Sequence, residues 1–166
     1  MRTIDGDWSA LGALIASSSR TATPAVADSV AYTARQMTAA ELAEFWQNVS
    51  MVAMATVGKR GQPHIAPVHA RLEGTKLRLV IYDNAVRRQD LIANPRVAFT
   101  TWSPNGAVAI LYGRAREIPQ SRRPARPGRS GKPRFVVEVE VELTRVYAMK
   151  APQREGVTSE ARGQVS

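Results

Sequence analysis

Residues 49–117 constrain the fold most, because short apolar runs alternate there with turns rich in glycine, asparagine and proline. Runs of this length between turn residues are typical of β-strands joined by hairpins. We predict six strands, at residues 51–57, 64–72, 76–82, 97–102, 107–118 and 135–149. A closed or nearly closed antiparallel barrel is the favoured architecture, since closure removes exposed sheet edges.

Two helices are expected to flank these strands. Thr38 and Glu41 form a capping-box pattern, and apolar residues follow at helical spacing, which predicts an amphipathic helix over residues 39–48 that plugs one end of the barrel. A second, short helix follows the third strand. Asp83 or Asn84 is expected to cap its start, and the Asn94-Pro95 pair should end it.

Arg87 and Arg88 fall in the first turn of that short helix. The aligned peptide dipoles place about half a positive charge at a helix N-terminus, so each cation there is disfavoured by roughly 0.3–1 kcal/mol. An anion between the two guanidinium groups and the free backbone amides would remove this cost. The sequence therefore predicts a site for a phosphorylated ligand.

The last strand shows strict alternation. Val137, Val139, Val141 and Leu143 alternate with Glu138, Glu140 and Glu142. A period of two predicts a half-buried strand whose carboxylates face water.

The net charge of +9 is concentrated in one segment. Basic residues without an intervening acid occupy positions 122, 123, 126, 129, 132 and 134, in and beside a Pro/Gly/Ser-rich stretch over 119–133. This composition predicts a solvated loop, with contact to an anionic ligand or partner as the alternative. Nucleic acid is not the expected target, because no aromatic residues interleave with the basic ones to stack on bases.

The remaining composition restricts the function classes. The chain has no cysteine and only two histidines, which disfavours a dedicated metal site. No apolar run is long enough to cross a bilayer, and acidic residues near the start disfavour a signal peptide, so we expect a cytoplasmic protein. We expect residues 1–36 to form a flexible arm, 37–150 the barrel domain and 151–166 a flexible tail.

Three segments resemble the pyridoxamine 5′-phosphate oxidase-like split-barrel superfamily. They are the opening hairpin with Gly61-Gln62-Pro63-His64-Ile65-Ala66-Pro67-Val68, the helix-to-strand segment at residues 87–98, and the later Tyr112-Gly113-Arg114-Ala115 strand. The resemblance implies a homodimeric, mainly β, six-stranded split β-barrel with two cofactor sites at the dimer interface. One departure is Val86, which replaces the serine or threonine usual before the basic pair. Another is the segment 119–133, which stands where relatives generally have a helix.

The resemblance also implies roles for individual residues. The ring of a flavin or deazaflavin would lie along His64, Pro67, Val68 and His69. Its edge would meet Ile81, Tyr82, Asp83 and Asn84, and its phosphate would bind Arg87 and Arg88. No catalytic residue is indicated.

The function implied is an oxidoreductase that transfers a hydride between F420 or FMN and a small organic substrate. F420 carries a polyglutamate tail, which would suit the arginines at 122, 123, 126 and 129. The alternatives are a non-catalytic flavin- or haem-binding barrel and a nucleic-acid-binding protein that uses the basic loop.

Overall fold

The computed structural model describes residues 8–153. Its helices are α1 (Ser9–Arg20), α2 (Pro24–Ser29), α3 (Ala39–Gln47) and α4 (Val86–Ala93), with a 3₁₀ turn at Thr33–Arg35. Its strands are β1 (Val52–Val57), β2 (Pro63–Val68), β3 (Ala70–Glu73), β4 (Lys76–Tyr82), β5 (Arg96–Trp102), β6 (Val108–Glu117), β7 (Arg123–Ala125) and β8 (Arg134–Met149).

The strands form a single antiparallel sheet with the order β2-β1-β5-β6-β8-β4-β3, and β7 also pairs with β8. β2 and β3 stand at opposite ends of this order, although only His69 separates them along the chain. The sheet must therefore curl until its two ends meet at His69. This curled sheet confirms the predicted split barrel, and we call the meeting line the seam.

The number of strands differs from the prediction. The expected strand over 64–72 divides at His69, because its first half pairs with β1 and its second half with β4. The segment 119–133, expected to be a loop, contains β7. Within residues 8–153, eight strands therefore replace the predicted six.

The core lies inside the curled sheet and follows the alternation of the strands. Leu77, Leu79 and Ile81 of β4 face Val137, Val139 and Val141 of β8, and all are buried. Full burial of one such side chain stabilises the fold by about 1.5–3 kcal/mol. The alternation in β8 thus predicted its inner face correctly.

Helix α3 closes one end of the barrel, as predicted. The Thr38 hydroxyl accepts a hydrogen bond from the Glu41 amide at 3.2 Å, and the Glu41 carboxylate accepts one from the Thr38 amide at 2.8 Å. The buried Trp46 donates its indole N–H to the Ala70 carbonyl at 2.8 Å, which fixes the helix against β3.

The N-terminal segment differs from the expected flexible arm. Residues 9–20 form α1, which buries Leu11 and Ile15 in the core. The hydroxyl of Ser18 accepts a hydrogen bond from the Val146 amide of β8 at 2.9 Å. Packing on β8, rather than a strong hydrophobic period, holds this helix in place. Residues 1–7 and 154–166, where the rest of the arm and most of the tail were expected, lie outside the described residues.

Among the helices of the described chain, none has both the length and the apolar character needed to cross a membrane.

Candidate cofactor and anion site

The candidate site centres on the junction between β4 and α4. The Asp83 amide donates to the Phe135 carbonyl at 3.0 Å, and the Ala85 amide donates to the Tyr82 carbonyl at 3.1 Å, so a tight turn leads into the helix. Ala85 occupies the N-cap position and offers no side-chain acceptor. The expectation that Asp83 or Asn84 caps α4 is therefore wrong.

Asp83 is instead engaged by two arginines. Its carboxylate accepts a hydrogen bond from Arg122 at 2.9 Å, and its carbonyl accepts one from Arg88 at 3.1 Å. Asn84, by contrast, is exposed. The capping role is lost because the Asp83 side chain is committed to the basic segment.

Arg88 has a protein partner that the sequence did not reveal. Its Nε and Nη2 atoms donate to the two carboxylate oxygens of Glu117, the last residue of β6, at 2.8 and 3.0 Å. This forked hydrogen bond raises the pKa of Arg88 above its already high value. Arg88 thus fixes the start of α4 to β6 and does not stand as an uncompensated charge.

Arg87 is the guanidinium of the pair without such a partner. Its Nε atom is buried and finds no hydrogen-bond acceptor among the described residues. A buried donor without an acceptor costs about 1–3 kcal/mol, more when it is charged. The residue therefore fits an anion bound at the first turn of α4. The exposed Val86 before it adds no hydroxyl donor.

One turn further along α4, a buried polar cluster joins the helix to β1 and β2. Asp90 is only 4% exposed. Its Oδ2 atom accepts a hydrogen bond from the Thr56 hydroxyl at 2.6 Å and lies 2.7 Å from His64 Nδ1. Burial by itself would raise the pKa of Asp90, but the bonds to Thr56 and His64 and the charge of His64 together lower it.

Neither Thr56 nor Asp90 is among the site residues predicted from the sequence. The turn between β1 and β2 places Thr56 directly opposite His64, and Thr56 is the polar residue in an otherwise apolar strand. The pairing of Thr56 with His64 across this hairpin could therefore have been predicted from the sequence. Asp90 gave no such signal, because its partners lie 34 and 26 residues earlier in the chain.

The predicted ring-contacting residues do not share one surface. Pro67 lies on the outer face of β2, whereas His64 and Val68 point to the inner side, where Val68 is buried. Ile81 is also buried. Val68 and Ile81 therefore have only backbone atoms to offer a ligand, because side chains alternate between the two faces of a strand.

Two surface depressions meet near the seam. An apolar cleft of about 550 Å³ is lined by Met51, Val52, Ala53, Ile65, Ala66, Pro67, Thr100, Thr101 and Trp102. A more polar groove of about 740 Å³ contains His69, together with Trp46, Arg71, Arg78, Val80 and Arg123 among others. Met51 and Val52 line both. Pro67 and His69 therefore lie in adjoining depressions.

The basic segment lies beside the β4–α4 junction. Arg122 stacks on Phe135 at 3.6 Å and Arg134 on Tyr82 at 3.5 Å, measured from guanidinium carbon to ring centre. Arg123 bonds Glu138 at 2.7 Å. These contacts replace the expected free loop with a segment fixed to β8, while Arg126, Arg129 and Lys132 are exposed.

Comparisons with known proteins agree with this fold. A family model described as pyridoxamine 5′-phosphate oxidase matches residues 38–149. No curated protein matches the chain. Among solved structures, a conserved hypothetical protein from Mycobacterium tuberculosis aligns with a TM-score of 0.59 at 16% identity, over 80% of this chain and 96% of that chain.

Two further structures illustrate the range of ligands named for proteins of this fold. An FAD-binding protein from Mesorhizobium loti aligns with a TM-score of 0.53 at 16% identity, over 71% of this chain and 98% of its own. HutZ, the heme storage protein from Vibrio cholerae, aligns with a TM-score of 0.52 at 13% identity, over 66% of this chain and 93% of its own. At these identities the likeness establishes the fold alone.

Proposed function

Because the chain belongs to the pyridoxamine 5′-phosphate oxidase family, we propose that it is a flavin- or deazaflavin-dependent oxidoreductase. It transfers a hydride between F420 or FMN and a small organic substrate. The observation that carries this proposal is the buried, unpartnered Nε atom of Arg87 at the start of α4. The resemblance of residues 87–98 to the family supports the binding of a cofactor phosphate at this position.

The cofactor would supply the redox chemistry, and the protein would bind and orient it. Arg87 and the first-turn amides of α4 bind the phosphate. Arg88 has a positioning role, because its bonds to Glu117 hold the start of the helix against β6. Pro67 and Trp102 line the apolar cleft, where an aromatic ring system would be shielded from water.

The proposal includes a homodimer. Ala53, Ala55, Ile65, Pro67, Ala98 and Trp102 lie on the outer surface of β2, β1 and β5, and we call this surface the apolar face. Ile65 is 74% exposed and Trp102 is 67% exposed. Contiguous exposed apolar surface of this kind marks interaction sites. A second copy would cover it and complete the cleft.

F420 fits the charges around the site better than FMN. Arg122 contacts Asp83 directly, which brings the basic segment to the junction where the phosphate would bind. The exposed Arg126 and Arg129 of that segment are suited to the carboxylates of a polyglutamate tail. FMN has no such tail.

The second candidate is a non-catalytic flavin- or haem-binding barrel, in keeping with the fold that the chain shares with HutZ. Absorbance spectra of the purified protein mixed separately with FMN, F420 and haemin separate the candidates. A perturbed flavin or deazaflavin band with saturable binding supports the oxidoreductase. A Soret band that forms with haemin, without binding of either other ligand, overturns it.

The anion site is tested by comparing Arg87→Ala with Arg20→Ala, which removes an exposed arginine in the last turn of α1. Hydrogen bonds to charged groups contribute about 1.5–3 kcal/mol, so Arg87→Ala should weaken FMN and F420 binding about tenfold or more. The control should bind as the wild type does. Equal affinities for the wild type and both variants would show that Arg87 does not bind the cofactor.

A double change, Arg126→Ala with Arg129→Ala, tests the preference between cofactors. It should weaken F420 binding more than FMN binding, and the difference should shrink at high salt. These two arginines are better probes than Arg122 and Arg123, which bond Asp83 and Glu138 and would disturb the fold. Equal losses for both cofactors would assign the segment a purely structural role.

A further inference from the structure

The polar groove beside the seam has an apolar floor. Val80 of β4 and Met51, just before β1, line it and are each 46% exposed. Val49 and Trp46 add further apolar surface. The volume of about 740 Å³ is within the range of roughly 300–1,000 Å³ that small-molecule sites span. The groove is therefore large enough for a small organic molecule whose apolar body contacts the floor.

Three arginines line the same groove: Arg71 of β3, Arg78 of β4 and Arg123 of β7. Arg71 and Arg78 stand directly opposite each other in the β3–β4 pair, where like charges repel. Glu73 relieves this repulsion. One of its carboxylate oxygens accepts a hydrogen bond from Arg71 Nε at 2.6 Å, and the other accepts one from Arg78 Nε at 3.1 Å. Two guanidinium groups of the groove therefore share one carboxylate.

The ion pairs on this side of the groove leave an excess of positive charge. Glu73 and Glu140 are together bonded by four cations, which are Arg71, Arg78, Lys76 and Arg116. Two positive charges are therefore in excess within this network. Arg71 is its most exposed cation, with 75% of its side chain open to solvent. Because an ion pair at such exposure is weak, Arg71 can exchange Glu73 for a ligand at little cost.

The groove is separate from the anion site at the start of α4. Side chains alternate along β4, so Tyr82 is the next residue after Val80 on the outer side. Arg134 lies over the Tyr82 ring at 3.5 Å and covers it. Arg87, which follows in the first turn of α4, does not line the groove. A ligand held by Arg71 would therefore occupy a different place from a phosphate held by Arg87.

We propose that the polar groove is the substrate site, and that the substrate is a carboxylate with an apolar body, which binds Arg71 and Arg78 in competition with Glu73. The groove adjoins the apolar cleft, since Met51 and Val52 line both. A ring system in the cleft would thus lie beside a ligand in the groove. That the ligand is a substrate rests on the proposed function, whereas the binding of an organic anion does not.

A carboxylate fits the two arginines better than other anions. Arg71 and Arg78 already bond the two oxygens of the Glu73 carboxylate, so their spacing matches a group of this size. A ligand carboxylate would replace Glu73 on the same donors and form the same charge-assisted hydrogen bonds. Its body would then extend over Val80 toward the cleft. Glu73 is therefore both a partner of the arginines and a competitor of the ligand.

The test uses benzoate, the uncharged benzamide of similar shape, and phenyl phosphate. Each is titrated into the full chain without cofactor, at constant ionic strength, and binding is followed by the backbone amide NMR signals of Val80 and His69 in the groove. Arg71→Gln removes the exposed guanidinium, and Glu73→Gln removes its competitor. Arg145→Gln is the control, because it removes one exposed arginine of β8 outside the groove.

We expect saturable binding of benzoate and weaker binding of benzamide. Arg71→Gln should weaken benzoate binding about fivefold, the scale of one partly exposed ion pair, and Glu73→Gln should tighten it by a similar factor. Arg145→Gln should bind as the wild type does. Opposite effects of two neighbouring changes cannot come from misfolding, which would only weaken binding. The comparison of benzoate with benzamide on the wild type needs no variant at all.

The outcomes separate this proposal from the proposed function. If FMN or F420 binds but benzoate leaves the groove signals unchanged, or binds the wild type and Arg71→Gln equally, the groove proposal is overturned and the cofactor site stands. If benzoate binds with the expected order of variants and neither cofactor binds, the oxidoreductase fails and the groove stands as an organic-anion site. Tighter binding of phenyl phosphate than of benzoate overturns the carboxylate. Loss of benzoate binding in protein saturated with FMN or F420 overturns a separate substrate site.

Discussion

The outer surface of the barrel has two faces of opposite chemistry, although one sheet makes both. On β2, β1 and β5 the apolar face presents alanine, isoleucine, proline and tryptophan to solvent. On β4, β8 and β6 the outer side carries a cluster of charged residues, Lys76, Arg78, Arg114, Arg116, Glu138, Glu140 and Glu142, and we call this cluster the charged face. At its centre Glu140 is bonded to Lys76, Arg78 and Arg116, at 3.2, 2.8 and 2.5 Å.

The two faces differ in whether their outer side chains find partners within the same chain. The aliphatic stems of three cations cover Glu140, which is only 3% exposed. The carboxylate at the centre of the charged face therefore finds its charge partners within one chain. The apolar face leaves Ile65 and Trp102 largely in water. The same sheet thus carries one surface whose buried carboxylate is paired within the chain and one surface that exposes large apolar side chains. The proposed homodimer follows from this difference.

The largest expected effect comes from placing charge on the apolar face. The double change Ile65→Asp and Trp102→Asp should abolish dimers at micromolar concentration, because central interface residues often contribute about 2–4 kcal/mol each. Light scattering measures the mass directly. Ile92→Asp is the control, since Ile92 is equally exposed but lies on α4. A wild type of 18.1 kDa in solution would contradict the covered-face interpretation.

A smaller effect is expected at the centre of the charged face. Glu140→Gln should lower the free energy of unfolding by about 1–3 kcal/mol, because three cations lose a buried charged acceptor. Because the three cations are partly exposed, water can replace some of their hydrogen bonds to Glu140. We therefore expect the loss of unfolding free energy to fall at the lower end of this range. Urea denaturation measures the change. Glu142→Gln, at an exposed site of the same strand, should be nearly neutral.

The same variant should change the response to acid. The hydrogen bond from Arg116, which outweighs the effect of burial, lowers the pKa of Glu140 below its ordinary value of 4.5. The stabilisation is therefore complete above that value and is lost as the pH falls through the lower pKa of the folded state. Glu140→Gln should lose less stability on acidification than the wild type. Parallel losses in both proteins would assign the acid sensitivity to other groups, such as Asp90.

The difference between the faces also shows which features a sequence can predict. Alternation and turn residues predicted the inner residues of β8 and the strands, apart from β7 and the break at His69, because both signals are local. Alternation also placed Glu140 in water, and the structure corrects this expectation. Its partners on β4 and β6 depend on which strands flank β8, and that order is a property of the whole sheet.

The candidate site follows the same rule. Arg87 and Arg88 were predicted from their position in the first turn of a helix, which is a local property. The bond from Arg88 to Glu117 spans 29 residues, and the bond from His64 to Asp90 spans 26. Such contacts become visible only once the chain is folded. They divide the arginine pair into a structural residue and a binding candidate, a division that residue type alone could not make.

The smallest expected effect is that of salt, which should act on one face and not on the other. Between 0.1 and 1 M salt the Debye length falls from about 10 to 3 Å, so the ion pairs of the half-exposed cations are screened while apolar contact is not. The cost of Glu140→Gln should shrink by a few tenths of a kcal/mol, in keeping with the modest energies of partly exposed pairs. The dissociation constant of the dimer, measured by analytical ultracentrifugation, should stay constant or decrease, since excluded salts favour apolar burial. A dimer that dissociates as salt rises would show that charged groups form the interface, and the apolar face would then need another explanation.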